Sequence, residues 1–225
     1  MGQMNMKRLL AAVLFVVIPS TTLAQGMLEE EYHKNIKVFQ PKPFLKKNRA
    51  DLAPFAAIQL NPKMMGHYGY GAVAGYHFNE AIWAGLQFTQ FHTRATDVKD
   101  NLEGDYGLFP ERSEMGYSAT ARFAWTPLFA KSAVLGLWLA HWDAFLFGGG
   151  GFVRTRLTDF AGAGEVGLGT RIFLGKTFAL TFELSDMIYV ETFPLKDESV
   201  VMQNYMFRAG LAVYVPFTFE YGGGK

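Results

Sequence analysis

The sequence predicts an all-β protein, an eight-stranded antiparallel up-and-down transmembrane β-barrel. Three observations predict it. Aromatic residues make up 16% of the chain and glycine 24 of its 225 residues, with no long apolar helix after the N-terminus, which is the composition of a barrel. The stretch Asn204 to Phe219 alternates over sixteen residues, with Tyr205, Phe207, Ala209, Leu211, Val213, Val215, Phe217 and Phe219 on one apolar face and Asn204, Met206, Arg208, Gly210, Ala212, Tyr214 and Thr218 on the other. Soluble strands run about five or six residues, whereas a tilted strand crossing a bilayer needs about 9 to 11 plus interfacial ends. Seven segments of the same kind, 10 to 16 residues long, precede it. In hydrocarbon every backbone N–H and C=O must be paired, so such a sheet has to close on itself.

The chain opens with a basic pair, Lys7-Arg8, ten apolar residues from Leu9 to Ile18, Pro19, and small residues at Thr22-Leu23-Ala24. Ten apolar residues are half of what a membrane helix needs, and the pattern is that of a secretory signal peptide over residues 1–24. Removing it leaves 19 basic residues against 20 acidic, a balance with no electrostatic footprint for nucleic acid. The absence of cysteine excludes a disulfide framework and a lipid-modified N-terminal cysteine.

Residues 25–49 form a polar leader. Glu29-Glu30-Glu31 is followed by Lys34, Lys37, Lys42, Lys46, Lys47 and Arg49, with Pro41 and Pro43 opposing helix and central strand alike. This is read as a periplasmic segment, a solvated linker or a contact for a periplasmic partner, ahead of a barrel over residues 50–221 and a glycine tail at 222–225.

The alternating segments are Asp51 to Leu60, Gly66 to Phe78, Ala81 to Thr93, Met115 to Thr126, Leu139 to Arg154, Ala161 to Leu174, Phe178 to Glu191 and the C-terminal stretch. Asn79-Glu80 and Gly175-Lys176-Thr177 are short connections, while Arg94 to Glu114, Thr155 to Phe160 and Thr192 to Gln203 are longer and more polar. Outer-membrane barrels keep short turns inside and longer loops outside, so both termini are expected in the periplasm. Pro127 to Trp138 breaks this rule, being long and apolar on the short-turn side, and is read as a segment lying in the inner membrane interface.

The alternation places Arg122, Asp143, Glu165, Arg171, Glu183 and Arg208 inside. Three acids against three bases in a narrow lumen are tolerable only if paired, because an isolated buried ion costs several kcal/mol. The expectation is a salt-bridged, sealed lumen, with Phe145, Phe147 and Phe173 packed inside beside glycines. Asp186 falls on the outward face, where a carboxylate in lipid is costly, so the headgroup region or a β-bulge turning it inward is expected.

Catalytic chemistry finds little support. His67 or His92 with Ser113 or Ser118 and Glu111 or Glu114 would be the makings of a hydrolytic triad, but no spacing favours it. There is no HExxH, phosphate-binding glycine loop or cysteine cluster. The acids of Arg94 to Glu114 match no EF-hand and are read as a solvated surface loop, with a divalent-ion site or a place among lipopolysaccharide counterions as the alternatives. No cofactor or metal is expected.

Two resemblances add to this reading. Arg208-Ala209-Gly210-Leu211-Ala212-Val213-Tyr214-Val215 resembles the C-terminal insertion signal of bacterial outer-membrane β-barrels, with Arg208, Gly210, Val213 and Val215 as its marked positions, and implies docking on the barrel-assembly machinery. Ile36 to Lys47, Pro54-Phe55, His67-Tyr68-Gly69, Gly75 to Glu80 and the region from Phe173 to Glu183 resemble the outer-membrane barrels typical of myxobacteria and other deltaproteobacterial predators. Some members of that group are similar to outer-membrane components of gliding-motility machinery. The resemblance implies a barrel in the bacterial outer membrane, among lipid and lipopolysaccharide, serving as an anchoring component. A small-solute pore and a lipid-modifying barrel enzyme are the alternatives.

Overall fold

The computed structural model describes residues 44–62, 65–96, 114–134, 138–193 and 198–217. Within them lie eight strands, β1 (Arg49–Gln59), β2 (Met65–His77), β3 (Ile82–Ala95), β4 (Met115–Val134), β5 (Trp138–Thr155), β6 (Ala161–Leu174), β7 (Phe178–Phe193) and β8 (Glu198–Val215). Each pairs antiparallel with its neighbour and β1 pairs with β8, closing the barrel. The expected signal peptide, residues 25–43 of the expected leader, most of the acidic loop and the tail lie outside the described residues.

The pairing fixes the geometry. A row of partners from Gln59 runs through Met206, Ser185, Gly167, Phe147, Ala124, Trp83 and His77 and returns to β1 at Arg49, ten residues from its start. A stagger of this size on eight strands corresponds to a tilt of about 40° and an interior that side chains can fill. The eleven residues of β1, at about 3.3 Å each and so tilted, rise about 28 Å, enough for an apolar band about 25 Å tall.

The two faces of the wall have opposite chemistry. Leu86 is 67% exposed, Tyr70 60% and Val166 59%, while Arg208, Glu165 and Asp143 are at most 1% exposed. An apolar exterior around a polar interior inverts a soluble sandwich, and it makes this a barrel of the outer-membrane type. Aromatic side chains mark both rims: Tyr68, Tyr117 and Tyr205 toward the end that carries the β1–β2, β3–β4, β5–β6 and β7–β8 connections, and Tyr76, Trp125 and Phe178 toward the end that carries the termini.

Turn chemistry sets the terminal rim. Asn79 Oδ1 accepts hydrogen bonds from the backbone N–H groups of Ala81 (2.8 Å) and Ile82 (2.6 Å), an Asx turn that folds the β2–β3 connection. Gly175 has φ +72°, which the β6–β7 turn requires and which a side chain would oppose. At the end of β8, Pro216 has no N–H for the ladder, so the strand stops at Val215 although the alternation runs on to Phe219. At its other end β8 begins six residues before the expected Asn204, at Glu198.

Pro127 to Trp138 is the clearest correction. It is not a twelve-residue connection: β4 runs on to Val134 and β5 starts at Trp138. Both β4 and β5 continue through it, pairing from Leu128↔Ala144 to Val134↔Trp138. A register shift between Trp125 and Leu128 marks a bulge at Thr126-Pro127, and a bulge is where a strand tolerates proline. Because side-chain direction alternates with period two, the extra residue inverts the phase, so the sequence there reads as a break. β3 last pairs with β4 at Trp125 and β6 last pairs with β5 at His141. Ser132–Val134 and Trp138–Ala140 therefore pair only with each other, as a two-stranded ribbon standing off the terminal rim.

Asp186 keeps its outward direction. The pairing of β7 runs unbroken through Asp186↔Val166 and Asp186↔Tyr205, so no bulge turns it inward. Its partner Tyr205 accepts, through its backbone carbonyl, the N–H of Leu60 just past the end of β1. The carboxylate thus sits beside the aromatic belt near the loop rim.

Candidate functional site: the closed lumen

The lumen is built from side chains that alternate inward along every strand, and polar bonds cross it at three levels. At the middle, Arg122 from β4 donates to Gln87 Oε1 of β3 (2.6 Å) and reaches Glu183 of β7 (2.8 Å). Arg208 of β8 pairs with Glu165 of β6 at 2.5 Å, lies 3.7 Å from Glu183 and donates to Ser185 Oγ (2.9 Å). Two arginines and two glutamates from four strands thereby tie opposite walls together.

Nearer the terminal rim, Asp143 of β5 accepts from Arg171 Nε (2.9 Å) and from Lys46 Nζ (2.6 Å). Arg171 also donates to Thr126 Oγ1 (2.9 Å). Beside them the Trp83 indole N–H donates to Asp51 (2.5 Å), with His77 at 3.5 Å from the same carboxylate. Toward the loop rim the described hydrogen bonds join neutral groups, although the Glu191 side chain is also buried there. Gln59 donates to Asn204 (2.6 Å) and its carbonyl oxygen meets His67 Nδ1 (2.8 Å), while His67 Nε2 accepts the N–H of Met115 (3.2 Å).

Aromatic rings fill the space between these layers. The Arg122 guanidinium lies 3.7 Å from the centroid of Phe147 and that of Arg171 4.3 Å from Phe145, contacts worth about 1 to 2 kcal/mol when desolvated. Trp83 fits because its neighbours are glycines; a Cβ at Gly75 would run into the indole. Between the middle and lower layers lies a cavity of about 30 Å³ bordered by Asp51, Phe55, Trp83, Arg122, Phe145 and Arg171. That is room for one or two waters and not for a solute.

The six lumen residues of the sequence reading, Arg122, Asp143, Glu165, Arg171, Glu183 and Arg208, all point inward, in two groups rather than one. Three partners went unseen there. Gln87 and Asp51 lie on inward positions of their strands, so parity alone points to them. Lys46 lies in the leader, before the first strand, and nothing in its proline-rich surroundings signals burial.

That end of the leader is the floor of the barrel. Phe44 is buried, its ring 4.3 Å from that of Phe173 and 4.9 Å from that of Tyr214. The N–H groups of Lys46 and Lys47 both donate to Glu80 Oε1 (3.0 and 2.9 Å). Arg49 donates to the carbonyls of Leu45, Lys176 and Tyr214 (3.0, 3.0 and 3.2 Å). Asn48, at φ 58°, makes the bend between plug and strand, a conformation asparagine tolerates better than most residues. Burial, with Arg171 nearby, holds the Lys46 amine down at about 8 in spite of Asp143.

The residues weighed for a hydrolytic triad are dispersed. His67 has both ring nitrogens engaged in the lumen, whereas His92 faces outward, stacked 5.6 Å from Tyr68. Ser118 is buried, Glu114 pairs with Arg156 (3.2 Å), and Ser113 and Glu111 lie outside the described residues. Of the insertion-signal positions, Arg208 faces the lumen, Gly210 packs against Phe55, and Val215 is exposed on the outer wall.

No family model matches the chain, and no curated protein matches it. Solved structures do. The N-terminal β-barrel domain of Pseudomonas aeruginosa OprF is 9% identical, with a TM-score of 0.41 over 75% of this chain and 98% of that one. The outer membrane protein OprG from Pseudomonas aeruginosa is 11% identical (TM-score 0.37; 77% and 99% covered), as is the outer membrane protein AlkL (TM-score 0.33; 85% and 99% covered). At these identities the likeness is one of architecture alone.

Proposed function

We propose that this outer-membrane barrel is a non-enzymatic structural component, an anchor that meets other envelope proteins at its terminal rim rather than a conduit. The single observation that carries the reading is the lumen: charges paired across it at two levels, and a floor made by Phe44 and Lys46. A small-solute pore would need these pairs to part. The terminal rim also carries the features an anchor would use, namely the described end of the leader from Phe44 and the β4–β5 ribbon, with Leu139 52% exposed. An envelope-spanning assembly, of the gliding-motility kind that the sequence resemblance implies, is the class of machine such an anchor would serve.

The test is recovery of the tagged barrel from cross-linked native cells in mild detergent, with and without residues 25–43, and with Leu139→Glu in the ribbon. A stoichiometric periplasmic protein that is lost with either change supports the anchor. A barrel that comes out alone in every case removes it and leaves the pore and enzyme readings.

A further inference from the structure

The outer wall near the loop rim is not uniform around the barrel. Across β3, β4, β5 and the turn after it runs a ladder of outward rings: Phe88 to Tyr117 (6.0 Å), Tyr117 to Phe152 (6.4 Å) and Phe152 to Phe160 (5.5 Å). All three basic residues at this rim among the described residues, Arg94, Arg154 and Arg156, stand on the same flank. Over β7, β8 and β1 the corresponding surface is largely aliphatic, with Ile58, Val190 and Val201 exposed and Asp186 beside Tyr205.

Arg154 is 51% exposed at its side chain, and its guanidinium lies 5.9 Å from the centroid of Tyr117. The row Gln90↔Tyr117↔Arg154 puts it two strands from β3, where Arg94 is exposed four residues nearer the loops. From strand spacing and rise, the two backbones are about 16 Å apart. Two carboxylates lie close. Asp159, 87% exposed, is 3.6 Å from one Arg154 nitrogen, and Glu114 is 3.2 Å from one Arg156 nitrogen. Each leaves the other guanidinium donors open, and Arg94 makes no ion pair with a described residue. Guanidinium groups at headgroup depth take phosphate in bidentate fashion, and a ring beneath them packs against the sugar or acyl region of the same lipid.

We propose that this flank is a binding site for a diphosphorylated glycolipid, lipid A, in which Arg94 and Arg154 each hold one phosphate, Arg156 adds charge, and Tyr117 and Phe152 line the seat below. Two guanidinium groups carried on flexible arms from backbones about 16 Å apart suit a headgroup with two phosphates better than a phospholipid with one. The site lies on the outer wall and rests on the barrel having its loops outside, not on the state of its lumen.

Native mass spectrometry of the full barrel in detergent tests it, by titration with lipid A, with enzymatically dephosphorylated lipid A, and with phosphatidylethanolamine. Each interfacial arginine contributes about fivefold toward an anionic surface. The wild type should therefore retain lipid A at least about tenfold better than the dephosphorylated form. R94A/R154A should erase that preference, R94K/R154K should keep most of it, and Lys131→Ala on the opposite rim should leave it unchanged. Heat-shifted gel mobility confirms that each variant is folded. Equal retention of the two glycolipids, a preference that survives R94A/R154A, or suppression of lipid A retention by millimolar inorganic phosphate to the dephosphorylated level would overturn the proposal.

Discussion

The middle and the floor of the lumen are both closed by ion pairs, yet they are built differently. In the middle, Arg122, Glu183, Arg208 and Glu165 all stand on strands, and each arginine also meets a neutral partner, Gln87 or Ser185. At the floor, Asp143 is shared between Arg171, on a strand, and Lys46, which is not. The middle is therefore part of the wall. The floor is closed by a piece of chain that arrives from outside the sheet, over a carboxylate that already has a partner. Loss of a partner should be costly in the middle and cheap at the floor.

The largest effect expected is at Arg208. Arg208→Met leaves Glu165 without its ion-pair partner in a site with almost no solvent, and breaking a buried pair in this way costs about 3 to 5 kcal/mol. The urea midpoint of the folded barrel in micelles should fall accordingly, and Arg208→Met/Glu165→Met should recover most of the loss because no orphan charge remains. A small effect of the single change would mean that water reaches the middle layer.

Next comes packing near the floor. Gly75→Ala drives a methyl group into the Trp83 indole, and overfilling of this kind costs about 1 to 3 kcal/mol. Its signature should be a changed Trp83 emission together with a weakened Trp83–Asp51 bond. The same change at Gly162, where a Cβ meets nothing within 4 Å, should be silent.

Lys46→Met should cost no more than about 1 kcal/mol at neutral pH, since Asp143 keeps Arg171 and the buried ammonium is already disfavoured. The pH dependence separates the two states of this residue. Its amine, held at about 8 in the folded barrel against 10.5 otherwise, binds fewer protons than the unfolded chain between those values, so wild-type stability should rise as pH climbs from about 8 to about 10.5. Lys46→Met should lack that rise, as followed by urea unfolding across the window. An identical pH profile in the two proteins would place Lys46 in solvent.

How much of this could be read from the sequence follows the same division. The alternation of β6 gives its bounds, Ala161–Leu174, without error, and the inward sets of β6, β7 and β8 place Glu165, Arg171, Glu183 and Arg208 where period two requires. Parity carries information only while the strand is regular. At Thr126-Pro127 one extra residue inverts it, and the ribbon beyond was legible as apolar sequence but not as strand. Lys46 was illegible for another reason. Its burial depends on Asp143, 97 residues away, and on a turn held by Glu80, and neither leaves a mark on the local pattern of Pro41 to Arg49. The separation of the charges into two layers was equally hidden, because it depends on the ten-residue stagger that only the closed register reveals.

Conductance tests the closed lumen most directly. The purified full barrel should be inserted into planar bilayers, and single-channel current recorded at neutral pH for the wild type and for a form lacking residues 25–46. The paired middle layer predicts no steady open level for either protein, because removing Phe44 and Lys46 takes away the floor and leaves Arg122, Glu183, Arg208 and Glu165 in place. A steady, ohmic conductance in the wild type would contradict a sealed barrel, and the same current appearing only on loss of 25–46 would make the floor, and not the middle, the gate.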